Sequence, residues 1–229
     1  METEITIYHG SDIIIEQPKY GYGNPKNDYG LAFYCTENVE LAKEWACQES
    51  ADGFVNEYLL RTEGLSILDL DGGEYHILNW LAILLQNRTF RINSDIIKRS
   101  VEYMRTYFLP NYIDYDIIIG YRADDSYFSF ANAFLNNMIS LERLETVMYL
   151  GQLGEQIAIR SKRAFEALEF VDAKLVDRTE YYSKRMMRDE KAREDFFANR
   201  NSENGTFMID IMRGEWRNDD ERLQRIVLR

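Results

Sequence analysis

The stretch Ile5–Ile15, ITIYHGSDIII, places one of the chain's two histidines after an alternating apolar run and follows it with Gly and Ser. A period of two puts Ile5, Ile7 and His9 on one face of a strand and Thr6 and Tyr8 on the other. A histidine at the end of such a strand either fills space against Tyr8 or faces a ligand at the mouth of a sheet. The choice between these depends on whether the later chain supplies partners for it.

At 229 residues the chain is one large domain, or one domain with an appendage. A hydrophobic share of 45% supports a proper core, and 16 Tyr with 12 Phe suit a strand-rich fold that also offers flat stacking surfaces. The net charge of −12 argues against binding nucleic acid over the whole surface, although a local basic groove leaves such a substrate open. With only two cysteines, Cys35 and Cys47, and two histidines, a zinc site would need nearly all of them, so no metal is expected. The start METEITIYHG is acidic and has no long apolar h-region. No run approaches the ~18 apolar residues of a membrane span. These features lead to the expectation of a cytoplasmic protein with reduced thiols and no membrane partner.

Residues 16–30, EQPKYGYGNPKNDYG, hold two of the three prolines and three glycines, and read as a long loop of the kind that often carries function. LAFYCT (31–36) reads as a short strand, and the helix after it takes Thr36 as its N-cap. GFVNEYLLRT and LSILDL are strands, and YHILNWLAILLQNR is an apolar helix with His76 as a core or flank residue. A helix ending at Pro110 follows, and then YDIIIGY has the continuous apolar run of a central strand. RADD (122–125) precedes a helix that Asp124 or Asp125 would cap. A short helix, the strand EQIAIRS and the closing strand ALEFVDAKLV complete residues 1–176. Residues 177–229 are charged and read as a helical appendage docked through Tyr181, Met186, Phe196, Phe197, Met208 and Ile211, with a solvated tail as the alternative.

YHGS (8–11), YGLAFYCT (29–36) and GEQIAIRS (154–161), in that order, resemble the ADP-ribosyltransferase superfamily in its diphtheria-toxin and poly-ADP-ribose-polymerase branch, whose signature is His-Tyr-Glu with Asp or Gln variants. Trp45 stands eleven residues after Tyr34, where the polymerase group carries a second aromatic. Together with NDYGLAFYCT, YRADDSYF and EQIAIRSKRAFEAL, these motifs look like a bacterial group of ADP-ribosyltransferase-like proteins, DUF3990. The resemblance implies an α+β ADP-ribosyltransferase fold: two small packed β-sheets around an NAD cleft, peripheral helices, and a C-terminal helical appendage.

The resemblance also implies roles for individual residues. His9 would hydrogen-bond the adenosine-side ribose, and Gly10 would clamp the carboxamide through its backbone, where a side chain would obstruct approach. Ser11 completes the cofactor-binding motif. Tyr34 and Trp45 would sandwich the nicotinamide. The third signature residue, which holds the 2′-hydroxyl of the nicotinamide ribose, has two adjacent candidates, Glu155 and Gln156. Strand alternation groups Glu155 with Ile157 and Ile159 on the core side and Gln156 with Ala158 and Arg160 on the cleft side, which favours Gln156. An amide orients a hydroxyl but is no base, so replacing Gln156 by Glu is expected to keep or raise NAD cleavage. Arg122, Asp124 and Asp125 have two readings, a helix cap or part of the acceptor surface and NAD edge. Lys19, Lys26 and Arg61 are candidates for the pyrophosphate.

Cleavage of the nicotinamide–ribose bond passes through a cation-like sugar, as in glycoside hydrolysis, and nicotinamide leaves neutral. The site therefore needs ring fixation, a held ribose and negative potential near C1′ more than it needs an acid. The expected activity is NAD-dependent ADP-ribosyl transfer to a protein or nucleic-acid acceptor. The family likeness implies an intracellular bacterial toxin or defence effector, with an antitoxin protein as a partner class. The alternatives are an NAD glycohydrolase and a non-catalytic member that binds NAD or a partner.

Overall fold

Strand β1 (Glu4–Ser11) runs antiparallel to β3 (Gly53–Arg61), in register from Glu4 opposite Arg61 to Ser11 opposite Phe54. His9, Gly10 and Ser11 therefore lie within the paired strand, which continues past the end expected at His9. On its other edge β3 pairs antiparallel with β7 (Leu168–Val176), with one irregularity between Glu57 and Tyr58. In the second sheet β6 (Glu155–Ile159) lies between β2 (Phe33–Cys35) and β5 (Ile117–Tyr121), antiparallel to both, and β4 (Ile67–Asp69) pairs parallel with β5. The computed structural model describes residues 3–123, 125–150, 154–198 and 205–224. It is a mixed α+β architecture built on two small sheets.

The sheets pack face to face through Ile7, Tyr58 and Leu60 of the first and Phe33, Ile117, Ile157 and Ile159 of the second. The other face of the second sheet carries the larger core. Here Leu68, Ile118 and Ala158 meet α2 (Ile77–Asn87), α3 (Asp95–Tyr107), α4 (Asp125–Leu135) and α5 (Leu141–Leu150). β6 is thus buried on both faces, and Ala158, assigned above to the cleft side, is core. The continuous apolar run of β5 has the same cause, since each of its faces meets a core.

Helix α1 (Val39–Ala46) packs on the outer face of the first sheet, where Ala42 meets Val55 and Val176. Its N-cap is Asn38, whose Oδ1 accepts from the backbone N–H groups of Glu40 and Leu41 at 3.0 and 3.3 Å. Thr36, the expected cap, is instead bonded through its backbone to Tyr8. His76 stands just before α2 as its N-cap, with its ring 5.7 Å from that of Phe108, and burial lowers its pKa to about 4. The short helix α6 (Lys162–Glu166), capped by Ser161, was not anticipated.

After β7 come α7 (Arg178–Ala198), α8 (Met208–Arg213) and α9 (Glu221–Gln224). Met208 and Ile211 are wholly buried in the larger core, together with Trp216 and Leu223, and Tyr181 packs against the cluster under α1. Met186 does not dock, being 47% exposed, because it lies on the side of α7 away from Tyr181. The side chains of Phe196 and Phe197, and the cap expected from Asp124 or Asp125, lie outside the described residues.

One buried acid makes stability depend on pH. Glu145 on α5 is 8% exposed, and burial together with the charge of Glu142 pushes its carboxyl up to about 8. A carboxyl raised in the folded state binds its proton more tightly there than in the unfolded chain, so its contribution is fully present below about pH 4.5 and is lost as pH rises through about 8. Glu145→Gln should abolish this loss and stabilise the protein by on the order of 1–2 kcal/mol at pH 8, with little change at pH 5. Thermal melts of the two proteins across that range would read it, and parallel curves would show that Glu145 is not the cause.

Candidate functional site

The cleft is organised where the two sheets meet. Tyr8 and Thr36 exchange backbone hydrogen bonds, 2.8 Å from Tyr8 N–H to Thr36 O and 3.0 Å in the reverse direction. One residue further along β1, His9 Nδ1 donates to the carbonyl of Tyr34 at 2.7 Å. That bond leaves Nε2 as an acceptor. Burial lowers the pKa of His9, partly opposed by the same bond, so the ring is neutral near pH 7. Its far side rests on Phe33, with centroids 4.3 Å apart.

A cavity of about 380 Å³ opens beside this junction. Its lining includes His9, Gly10, Tyr34, Trp45, Arg122 and Gln156, all singled out in the sequence. It also includes Asn27, Asp28, Arg88 and Arg185, which were not. Asp28 is the most informative of these four. It comes from the long loop 16–30, is 6% exposed and anchors three elements. Its Oδ2 accepts from Gln156 Nε2 and from the backbone N–H of Ala123, both at 2.8 Å, and its Oδ1 faces Arg88 Nη1 at 3.2 Å. Burial raises the pKa of Asp28, and these donors and the nearby Arg122 oppose the rise.

Gln156 is held on both of its donor hydrogens, one to Asp28 and the other to the carbonyl of Tyr121 at 3.1 Å. That carbonyl also accepts from Tyr29 Oη and Trp80 Nε1, which fixes the end of β5. The group Gln156 has left to offer the cavity is its carbonyl oxygen, an acceptor. Glu155 is exposed and is not part of the lining. Partial desolvation of its carboxyl group and the carboxylates of Asp71 and Asp69 push it up to about 7.

The phenol of Tyr34 is tied into the loop, donating to Gly30 O at 2.7 Å and accepting from Tyr29 N–H at 3.1 Å. Burial pushes its pKa well up, so it stays neutral. Gly30 adopts φ of 79°, a left-handed turn that glycine takes without strain. Trp45 does not present both ring faces to the cavity, because the Arg122 guanidinium lies over its indole, 4.5 Å from the centroid. The buried indole N–H of Trp45 has no partner among the described residues.

Two groups of expected residues lie outside this lining. Ser11 is not in the lining: its Oγ donates to Ile13 O and accepts from Asn56 Nδ2, which closes the turn after β1. Lys19, Lys26 and Arg61 are also absent from the lining, and Arg61 forms a surface pair with Glu169 at 3.6 Å. The cations of the cleft are Arg88, Arg122 and Arg185 instead. Arg122 was marked by the RADD motif, whereas Arg88 and Arg185 lie far from it in sequence and no local pattern marked them. The side chains of Asp124 and Asp125 lie outside the described residues.

The reason for a glycine at position 10 also changes. A Cβ there would stand 2.1 Å from Ala42 O and 2.6 Å from Ala46 N, so it is helix α1 that excludes a side chain. Among the described residues, no group of three or more His, Cys, Asp or Glu side chains is disposed to hold a metal ion. No described helix is long and apolar enough to cross a membrane.

Residues 5–170 match the family described as Protein of unknown function (DUF3990). No curated protein and no solved structure matches the chain.

Because α1 packs directly against β1 at Gly10, Gly10→Ala should destabilise the fold by roughly 1–3 kcal/mol through overpacking, with or without any ligand present. Chemical denaturation without ligand would read this. Unchanged stability would show that α1 gives way and that the steric reason is wrong.

Proposed function

The chain belongs to the DUF3990 family, and from that premise we propose that it is an NAD-dependent ADP-ribosyltransferase with an ADP-ribosyltransferase-type fold. The observation that carries the reading is the Gln156–Asp28 pair in a cavity shared with His9, Tyr34 and Trp45. In the reaction the C1′–N bond to nicotinamide breaks, and its electron pair leaves with the neutral base. A nucleophile of the acceptor then bonds to C1′ and loses its proton to solvent. His9 Nε2 and Gln156 Oε1 are acceptors that suit ribose hydroxyls, and Tyr34 and Trp45 are rings that suit a flat partner.

Asp28, already paired with Arg88, holds Gln156 by accepting from its Nε2, so the carboxylate acts on the site by orienting the amide that would meet the ribose. This changes the expectation for Gln156→Glu. A carboxylate at position 156 would face Asp28 and the Tyr121 carbonyl, both acceptors, where the amide now donates twice. Like charges at that separation cannot both stay ionised, so the substitution should impair the site.

The test is incubation with NAD labelled on its adenosine half, in the presence of a cell lysate. Label on macromolecules supports transfer, and free ADP-ribose alone supports hydrolysis with water as acceptor. Release of no nicotinamide under either condition removes the catalytic reading. Gln156→Ala should lower turnover on the order of 10²-fold with a smaller change in NAD affinity. Gln156→Glu should fall below wild type, and Glu155→Ala should stay near it. An active Gln156→Ala beside a dead Glu155→Ala would move the third role to Glu155.

A further inference from the structure

Another cavity, of about 370 Å³, lies at the far end of β6 and shares no lining residue with the cavity beside His9. Loop 16–30 reaches both, through Asp28 in the one and through Tyr20 and Tyr22 in the other. A turn closed by the Tyr22 N–H on Lys19 O at 3.2 Å carries these two rings, and both leave most of their surface exposed. Phe165 of α6 meets Tyr20 edge to face with centroids 5.6 Å apart, and Tyr115, just before β5, adds a fourth ring to the lining. Such rings are walls for a flat partner.

The cation of this cavity is Arg160, the residue after β6. Its backbone N–H donates to Asp116 O at 2.9 Å, an Nη1 hydrogen goes to Tyr112 O, and its guanidinium lies 5.2 Å from the Tyr112 ring centroid. These contacts hold the side chain in place and supply no negative charge. Its Nε is buried and has no partner among the described residues. Asp114, which also lines the cavity, accepts from Asn111 Nδ2 at 2.8 Å, and Asp116 accepts from Arg163 and from Ser66 Oγ. Among the described residues no carboxylate pairs with Arg160. A half-buried guanidinium without a carboxylate favours an anion brought from outside.

We propose that this cavity is a second ligand site, for a flat ring carrying one anionic group, the chemistry of a nucleoside monophosphate. The ring lies among Tyr20, Tyr22 and Phe165, and the phosphate meets Arg160. The volume is that of a small-molecule site and leaves room for a sugar between ring and phosphate. A guanidinium offers a planar fork of donors to phosphate oxygens. Such a group comes either as a free mononucleotide or as the phosphorylated end of a strand, and the net charge of −12 favours the free mononucleotide. The site stands apart from the NAD reading, since no residue of the His9 cavity takes part in it.

The experiment is calorimetric titration of the full chain with AMP and adenosine, on wild type, Tyr22→Ala, Arg160→Gln and Gln156→Ala. Wild type should bind AMP about tenfold or more tighter than adenosine, and the preference should shrink as salt is raised. Arg160→Gln, which keeps a donor for Tyr112 O, should lose that preference. Tyr22→Ala should weaken AMP and adenosine alike, about fivefold or more. Gln156→Ala should match wild type. A 5′-phosphorylated dinucleotide that binds more weakly than AMP identifies the free mononucleotide as the ligand, and one that binds more tightly identifies a strand end. No AMP binding to wild type, equal affinity for AMP and adenosine, or AMP affinity unchanged in Tyr22→Ala or in folded Arg160→Gln would each overturn the proposal. AMP binding lost in Gln156→Ala and kept in Tyr22→Ala would place the nucleotide beside His9 and overturn it as well. If Arg160→Gln fails to fold, Tyr22→Ala at an exposed ring still decides. NAD turnover enters none of these readouts, so the two readings fail separately.

Discussion

Everything about the cleft depends on two sheets being stitched together at one point. The mutual backbone hydrogen bonds of Tyr8 and Thr36 hold β1 against the end of β2, and the His9 side chain adds a third bond across the same seam to Tyr34. An antiparallel bridge of this kind fixes distance and register together. It brings a histidine from one sheet and a tyrosine from the other to a shared opening, while Ile7 and Phe33 beneath them close the core between the sheets. The glycine at position 10 serves the same junction, since α1 can lie close to β1 only if no side chain stands between them. The helix that Gly10 admits is the one that carries Trp45 into the cavity.

Asp28 is the second constraint, and it is costly to bury. A carboxylate at 6% exposure is tolerated because Gln156, the Ala123 N–H and Arg88 surround it with donors. Those donors come from β6, from the connection after β5 and from the end of α2, so a single carboxylate sets three elements at once. The same network decides what Gln156 offers chemically. With both amide hydrogens engaged, its carbonyl oxygen is the group these two bonds leave over, and the carboxylate beside it lies on the neighbouring loop. The long loop 16–30 is thus tied to the cavity through Asp28, and the phenol of Tyr34 pins its far end at Gly30.

The charge distribution follows a related logic. An acidic chain gains solubility from its net charge but would repel an anionic ligand unless cations were gathered locally. The fold gathers them by convergence of Arg88, Arg122 and Arg185. The acids Asp28 and Glu44 are paired, with Arg88 and with Arg188 respectively. The charged helix α7 therefore does more than cover an apolar face. Its docking residues Tyr181 and Arg188 stand on either side of Arg185, which lines the cleft.

The sequence by itself determined the features that depend on local periodicity. Alternation located β1, the unbroken apolar run located β5 as a central strand, and the order of YHGS, YGLAFYCT and EQIAIRS brought His9, Tyr34, Trp45 and Gln156 to attention together. Alternation also favoured Gln156 over Glu155 for the cleft by placing Glu155 on the core side, whereas the fold buries Gln156 and leaves Glu155 exposed. Tertiary structure alone decided what depends on contacts between distant segments. Asp28 sits among turn residues and looks like an ordinary loop acid until β6 is laid beside it. Arg185 is one charge among many on a polar helix until α7 docks on α1. The helix N-cap moved from Thr36 to Asn38 because the Thr36 backbone was claimed by Tyr8, a residue 28 positions earlier. Ser11, marked by its motif, was drawn into the turn at Ile13 by Asn56 on the adjacent strand. In each case the deciding partner lay in another element, and a pattern confined to a few residues carries no information about what packing will bring beside it.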